Sequence, residues 1–373
     1  MRVGKEIARP VGGWPAWRGW KKAAALTACA MLLTGATIPR HYPRSYGAII
    51  DAAKREAVVV IASTTDQHEI TGVLAAFRQA YPFVRIVYQE RSSRDLYTEI
   101  VSATRRRAAT PDLVWSSAMD LQIKLVNDGY VQAYASPEKP YLPPWAIWKN
   151  EAYGVTAEPF VFVYNSRLVQ PVDVPRTHPE FTRLLRAKAQ QYRGRIAAFD
   201  PVRSGAGYLS FTQDQEASRD IWELVAAMGA TGVKLHDSSR AMIAAVASGQ
   251  QALGYNAIGS YAFEAAARNP AVKVSIPSDY ALVMSRIVVI PNEARHPNAA
   301  KLLLDFLLSR RGQFELAKVY MGPVRNDVPA HPNTKPTSTA ARPVRIGPTL
   351  MTNLDQIKRR RFLSRWQQAL AGK

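Results

Sequence analysis

A chain of 373 residues has room for two domains, and with 47% apolar residues it can bury a sizeable core, which excludes wholesale disorder. The formal charge of +20 is spread along the whole sequence, with its densest run at Lys358-Arg359-Arg360-Arg361. No aromatic residues interleave a basic stripe, so the charge reads as a solvated surface and not as a nucleic-acid site.

Residues 1–36 carry six Lys/Arg against one Glu, then an apolar stretch over 23–33 and the small residues Thr34-Gly35-Ala36. That order predicts a signal peptide, 1–36, whose removal leaves about +15 on the rest. The apolar stretch is too short to span a bilayer comfortably. No twin arginine precedes it, so general secretion is expected, with a soluble mature protein in the periplasm. The only cysteine is Cys29. Leu26-Thr27-Ala28-Cys29 superficially resembles a lipoprotein box, but the apolar run continues through Met31-Leu32-Leu33, which favours ordinary cleavage. The mature chain would then hold no cysteine, which excludes disulfides, thiolate catalysis and cysteine-type zinc sites.

From about Ser45 the pattern alternates. A helix is expected over 47–56, a strand over 58–62, and a helix over 70–81 with Ile70, Val73, Leu74 and Phe77 at helical spacing. Pro82 stops that helix. A strand over 84–88, a basic amphipathic helix over 95–108, a strand over 112–115 and a helix over 119–128 capped by Gly129 follow. This is a β-α-β order with a mostly parallel sheet. Residues 136–149 read as an ordered Pro/Trp-rich loop, 159–164 as a hydrophobic strand, and 169–177 as a Pro-rich linker. A second α/β region has strands over 195–199 and 252–255 and helices over 221–229 and 241–248. The segment 282–290 reads as one strongly apolar strand, with a helix over 299–308 after it. Residues 324–348 look irregular and 357–370 helical.

The expected fold class is therefore α/β with two lobes: 45–158 plus 286–373 in the first, 159–285 in the second. Two crossings between them would form a hinge over a binding cleft.

Five clusters of small polar residues follow predicted strands: Ser63-Thr64-Thr65-Asp66, Arg91-Ser92-Ser93-Arg94, Ser116-Ser117, Arg203-Ser204-Gly205-Ala206-Gly207-Tyr208 and Asn256-Ala257-Ile258-Gly259-Ser260-Tyr261. Each alone is what an ordinary cap or turn looks like. Together they suit a donor-rich cleft at the carboxyl ends of strands, where an anion such as phosphate, sulfate or carboxylate would bind. Arg91, Arg94 and Arg203 would add bidentate charge. Trp115 is a candidate for stacking on a ligand ring, with a core or cleft-wall role equally open, and Glu158, near the first crossing, for accepting from a ligand hydroxyl. Catalysis is not expected. The six histidines show no metal-ligand spacing, no Gly-x-Ser-x-Gly elbow occurs, and Ser204-Gly205-Ala206-Gly207 lacks a full phosphate-loop or dinucleotide pattern. No metal ligand and no cofactor is assigned.

Five segments resemble bacterial extracellular solute-binding proteins of ABC importers. They are residues 58–66, Asp112-Leu113-Val114-Trp115-Ser116-Ser117-Ala118-Met119-Asp120-Leu121-Gln122, Glu158–Asn165, Gly254-Tyr255-Asn256, and His296-Pro297-Asn298-Ala299-Ala300-Lys301. The branch is the one grouped with ferric-iron-binding proteins, which also holds hexose-phosphate and phosphoglycerate binders and sensors. The resemblance implies the two-lobe periplasmic-binding-protein (type II) fold, a monomer, a small solute and an inner-membrane ABC permease. A sensor docking on a histidine-kinase ectodomain is the second reading. In the leading, solute-binding reading the clusters supply ligand contacts from Ser63, Thr64, Thr65, Asp66, Ser92, Ser93, Trp115, Ser116, Ser117 and Glu158. From the second lobe the same reading takes Arg203, Ser204, Gly205, Gly207, Tyr208, Asn256, Ser260 and Tyr261. Iron binders of this branch use two adjacent tyrosines where this chain reads Gly259-Ser260-Tyr261-Ala262. The single tyrosine argues against direct Fe(III) binding and for an anionic organic solute such as a phosphorylated sugar.

Overall fold

The computed structural model describes residues 38–372, so the expected signal peptide and Cys29 lie outside the described residues. The chain runs α1 (Tyr46–Glu56), β1 (Val58–Ser63), α2 (Thr71–Ala80), β2 (Arg85–Glu90), α3 (Ser93–Arg105), β3 (Leu113–Ser116), α4 (Met119–Asn127), β4 (Ile147–Trp148), β5 (Ala152–Gly154) and β6 (Glu158–Asn165). It continues through α5 (His178–Ala187), β7 (Ile196–Phe199), α6 (Gly205–Ala217), α7 (Ile221–Ala230), β8 (Lys234–His236), α8 (Ser239–Ala247), β9 (Leu253–Ile258), α9 (Gly259–Arg268), β10 (Val272–Ser275) and β11 (Ala281–Met284). The last elements are β12 (Ile287–Val289), α10 (Pro297–Leu308), α11 (Arg310–Lys318), β13 (Ala341–Pro343) and α12 (Gln356–Leu370). Among the described residues, no helix is long and apolar enough to cross a membrane.

Two mixed sheets result. The first has the order β2-β1-β3-β12-β5-β4, and the second β13-β11-β6-β9-β7-β8 with β10 on β6. In the first, β1 lies parallel to β2 and β3 because a helix makes each return. Val73, Leu74 and Phe77 form the buried stripe of α2, as their spacing predicts. Gly129, with φ +76°, ends α4 in the left-handed conformation that glycine tolerates best. Glu56 at the end of α1 accepts from the backbone N–H of Ala299 at 2.7 Å, so a carboxylate caps the positive end of α10.

Three features differ from the sequence reading. The segment 282–290 is two strands in two sheets: β11 pairs with β6, whereas β12 lies between β3 and β5. The break falls at Ser285-Arg286, both fully buried. Helices α5, α6, α9 and α11 went unread. In α6 the residues from Ala206 to Thr212 are all buried, so no amphipathic stripe marks it. The C-terminal stretch was expected with the first lobe, but β13 pairs with β11 of the second sheet. Helix α12 docks on the second half as well. Trp366 packs 4.2 Å, centroid to centroid, from Phe211 of α6, and Phe362 lies 5.5 Å from Trp222 of α7. These two aromatics are four residues apart and share a helix face, which is why they find one apolar groove. The close approach is permitted by Gly229, where an added Cβ would sit 2.1 Å from the Leu370 carbonyl oxygen.

The two crossings meet in a buried ion pair. Glu158 opens β6, and Arg286 stands between β11 and β12. Arg286 donates from Nε to Glu158 Oε1 at 2.8 Å and from Nη2 to Oε2 at 3.1 Å. Its Nη1 reaches Thr65 Oγ1 at 2.7 Å, and its Nη2 reaches Ser260 Oγ at 3.2 Å. Thr156 Oγ1 donates to Glu158 Oε1 at 2.7 Å and accepts from the Arg286 backbone N–H at 2.8 Å. Burial pushes the Glu158 carboxyl up, but the Arg286 charge and the hydrogen bonds outweigh it and hold the group below the usual carboxylate range. Glu158 therefore stabilises the fold above its ordinary pKa, and this stabilisation is lost as pH falls through the lower folded value.

Replacing Arg286 by Met leaves Glu158 charged and unpaired in the interior. The expected cost is about 3–5 kcal/mol, read as a lower urea midpoint. Adding Glu158→Gln should recover part of that loss, because the two residues act as one unit.

Candidate functional site

A candidate cavity of about 400 Å³ is open to solvent and is lined by loops and helix ends that follow strands of both sheets. From the first-sheet side it is lined by Thr64, Asp66, Arg91, Ser92, Ser93 and Ser117. From the second it is lined by Arg203, Ser204, Gly205, Asp237, Ser238, Ser239, Arg240 and Tyr261, with Phe199, Ala206 and Ile258 as apolar floor.

Three helices aim their N-termini at it, each capped by a serine. Ser92 Oγ accepts from Asp95 N at 3.2 Å at the start of α3, and Ser204 Oγ from Gly207 N at 3.1 Å at α6. Ser238 Oγ accepts from Ala241 N at 3.2 Å at α8. Helix N-termini carry unsatisfied N–H groups and partial positive charge, so their convergence favours an anion. Arg91, Arg203 and Arg240 add three cations, partly exposed and paired with acids nearby. Arg203 Nε lies 2.9 Å from Asp200, and Arg240 Nη2 lies 2.6 Å from Asp66 on the opposite wall. Arg94 donates across the same gap to the Val202 carbonyl at 3.0 Å. Thr64 and Ser117 meet at the ends of β1 and β3, where the Ser117 N–H donates to Thr64 Oγ1 at 3.0 Å. No His or Cys lines this cavity among the described residues. The arrangement can hold and orient an anionic group; it offers no nucleophile–base pair.

The structure brings Thr64, Asp66, Ser92, Ser93, Ser117, Arg203, Ser204, Gly205 and Tyr261 to this one cavity. The other expected contacts are elsewhere. Ser63 is buried and accepts from Thr65 N at 3.0 Å; Thr65 is buried against Arg286. Ser116 turns inward to accept from Ala118 N at 3.1 Å. Trp115 is core rather than cleft wall, because β3 is an interior strand covered on both faces. Glu158 is sealed in its ion pair and cannot reach a solute. Gly207 lies inside α6, where an added Cβ would meet Phe199 Cβ at 2.6 Å. Tyr208 is buried and donates to the Asn353 carbonyl, with Arg359 over its ring at 4.2 Å. Asn256 donates to buried Asp214 at 2.6 Å, and Ser260 donates to Glu158. Most of these polar groups are engaged by the scaffold that holds the cavity.

Sequence reading missed Asp237, Ser238, Ser239 and Arg240. The signal was present, since Lys234-Leu235-His236 runs into Asp237-Ser238-Ser239, but a three-residue strand is too short to show an alternation.

A family model described as bacterial extracellular solute-binding protein matches residues 72–342. The chain belongs to this family. Membership assigns it to a family of binders outside the cell interior, not of catalysts. The crystal structure of the substrate-binding protein of an ABC transporter from Agrobacterium tumefaciens is 39% identical. It has a TM-score of 0.79, with 84% of this chain and 94% of that chain covered. Two others share the fold at lower identity. Iron-bound HitA from Pseudomonas aeruginosa is 16% identical, with a TM-score of 0.68 and coverage of 84% and 99%. AfuA from Actinobacillus pleuropneumoniae, with fructose-6-phosphate bound, is 17% identical, with a TM-score of 0.68 and coverage of 84% and 98%. No curated protein sequence matches significantly.

Two predictions concern this site in the solute-binding protein. Gly205 abuts the opposite wall: an added Cβ would lie 2.5 Å from Ser93 Oγ and 2.9 Å from Ala118 Cβ. Gly205→Ala should hold the walls apart and raise the radius of gyration in small-angle scattering, with little change in melting temperature. Asp214, on the buried face of α6, accepts from Tyr255 at 3.0 Å, Asn256 at 2.6 Å and Tyr280 at 3.1 Å. Burial nonetheless pushes it up to about 6. Its folded form holds its proton longer than the unfolded chain, so its contribution to stability falls as pH rises from about 4 to about 6. Asp214→Asn should remove that slope in urea midpoints taken across the same window.

Proposed function

We propose that this solute-binding protein captures a small anionic organic solute, a phosphorylated sugar or similar phosphoester, in the serine-lined cavity. It would present the closed form to an inner-membrane ABC permease from the periplasm. The observation that carries this reading is the convergence of three serine-capped helix N-termini, from both sheets, on one cavity with three arginines. The volume of about 400 Å³ lies in the ordinary range for small-molecule sites. The transporter role is supported by the likeness to the substrate-binding protein of the Agrobacterium ABC transporter, and the phosphoester by the fructose-6-phosphate bound to AfuA. The hinge is proposed at the two crossings, around Glu158 and Arg286. The first lobe would be built on the first sheet and 159–285 would form the second.

Iron is the competing cargo, as HitA is iron-bound. Against it, the residue before Tyr261 is Ser260, whose hydroxyl is committed to Glu158, so among the described residues no phenolate pair faces the cavity.

The test is a thermal-shift panel of hexose phosphates, phosphoglycerates, inorganic phosphate, plain sugars, and ferric iron with and without a synergistic anion. A phosphoester should raise the melting temperature by mass action. Arg203→Ala should cost about 1.5–3 kcal/mol of binding in titration calorimetry. A rise with iron alone would overturn the reading.

A further inference from the structure

Beside the cavity, and lining no part of it, His68, Glu69 and Glu264 bring one ligand atom each to within 4.8 Å of one another. His68 and Glu69 stand in the 3-10 turn Gln67–Ile70 that follows β1 of the first sheet. Glu264 comes from α9, which follows β9 of the second. The cluster is thus assembled by both sides of the molecule.

Glu69 is the informative member. It is only 7% exposed, and its Oε2 is buried with no hydrogen-bond partner among the described residues. A buried carboxylate oxygen without a partner is costly, and such groups are normally paired or bound to a metal. The neighbours are arranged to yield. His68 is exposed, and its Nδ1 lies 3.2 Å from Arg240 Nη2. Glu264 is half-buried and pairs with Arg268 at 2.7 Å at the surface, where such a pair contributes little.

We propose that His68, Glu69 and Glu264 form a site for a divalent transition-metal ion, zinc foremost, that ties the two sides of the cleft together. One imidazole and two carboxylates are a borderline donor set that suits zinc; calcium and magnesium prefer oxygen alone. Zinc binds such atoms at about 2.0–2.2 Å, so small rotations of the two accessible side chains complete the shell, and a water takes the fourth position. Because the ligands come from both sides, the bound ion favours the closed arrangement and strengthens solute binding.

The experiment uses the untagged protein stripped with a chelator and titrated with zinc chloride by calorimetry. One zinc ion per chain is expected, with a higher melting temperature. Glu264→Gln and His68→Ala should each weaken zinc binding by at least about tenfold. Both residues are accessible, and unchanged melting temperatures without zinc would show that the variants fold. Glu69→Gln should abolish binding. The absence of saturable zinc binding would overturn the proposal, and so would binding that Glu264→Gln and His68→Ala leave unchanged. The site shares no residue with the serine-lined cavity, so a failed phosphoester panel and a failed zinc titration are separate results.

Discussion

The bidentate pair between Arg286 and Glu158 is the constraint on which the rest of this structure depends. It sits where the chain leaves the first sheet and where it returns, and it also engages Thr65 and Ser260, one from each side. A guanidinium taken fully out of water survives only if nearly every donor is satisfied. Here Nε, Nη1 and Nη2 all find acceptors, and the face of Tyr261 lies 5.2 Å from the guanidinium carbon. This demand breaks an otherwise apolar run at Ser285-Arg286 and sends β11 and β12 into different sheets. A hydrophobic replacement of both partners could match the pair in stability.

The cavity follows from that arrangement. With the crossings pinned, the carboxyl ends of β1, β3, β7 and β8 open toward one gap, and the helices after β2, β7 and β8 present their N-termini there. Serine serves twice at each of these helix starts. It caps the helix, which stabilises the scaffold, and its hydroxyl remains at the cavity edge. The same residue type can therefore look structural in sequence and functional in space. Arginines held by acids on their own side, or by Asp66 across the gap, keep the charge in place while leaving guanidinium edges near the opening.

Much of the fold was legible because burial imprints itself on sequence. β1, β3, β6 and α2 show continuous or periodic apolar patterns, and Gly129 and Pro82 punctuate them. The helices that went unread are those whose pattern is erased, as in α6, buried nearly all round and opened by two glycines. The destination of α12 was not legible, because Phe362 and Trp366 mark an apolar face without naming its partner. At the site, the Ser/Thr clusters marked the right loops but not which hydroxyl turns outward. Neighbours illustrate this: Ser116 and Ser117, Thr64 and Thr65, Ser260 and Tyr261 each divide between scaffold and cavity. That choice is made by the pleat and by the hydrogen bonds within each turn, neither of which residue type records.

Closure of two halves joined at the Arg286–Glu158 pair on an anionic solute is the motion proposed for this molecule. The most direct measurement is the distance between spin labels placed on exposed positions of the two lobes, with and without a hexose phosphate. A shorter, narrower distance distribution with the phosphoester, and no change with the unphosphorylated sugar, is the result expected. An unchanged distribution at saturating phosphoester, or equal closure with the plain sugar, would contradict the account.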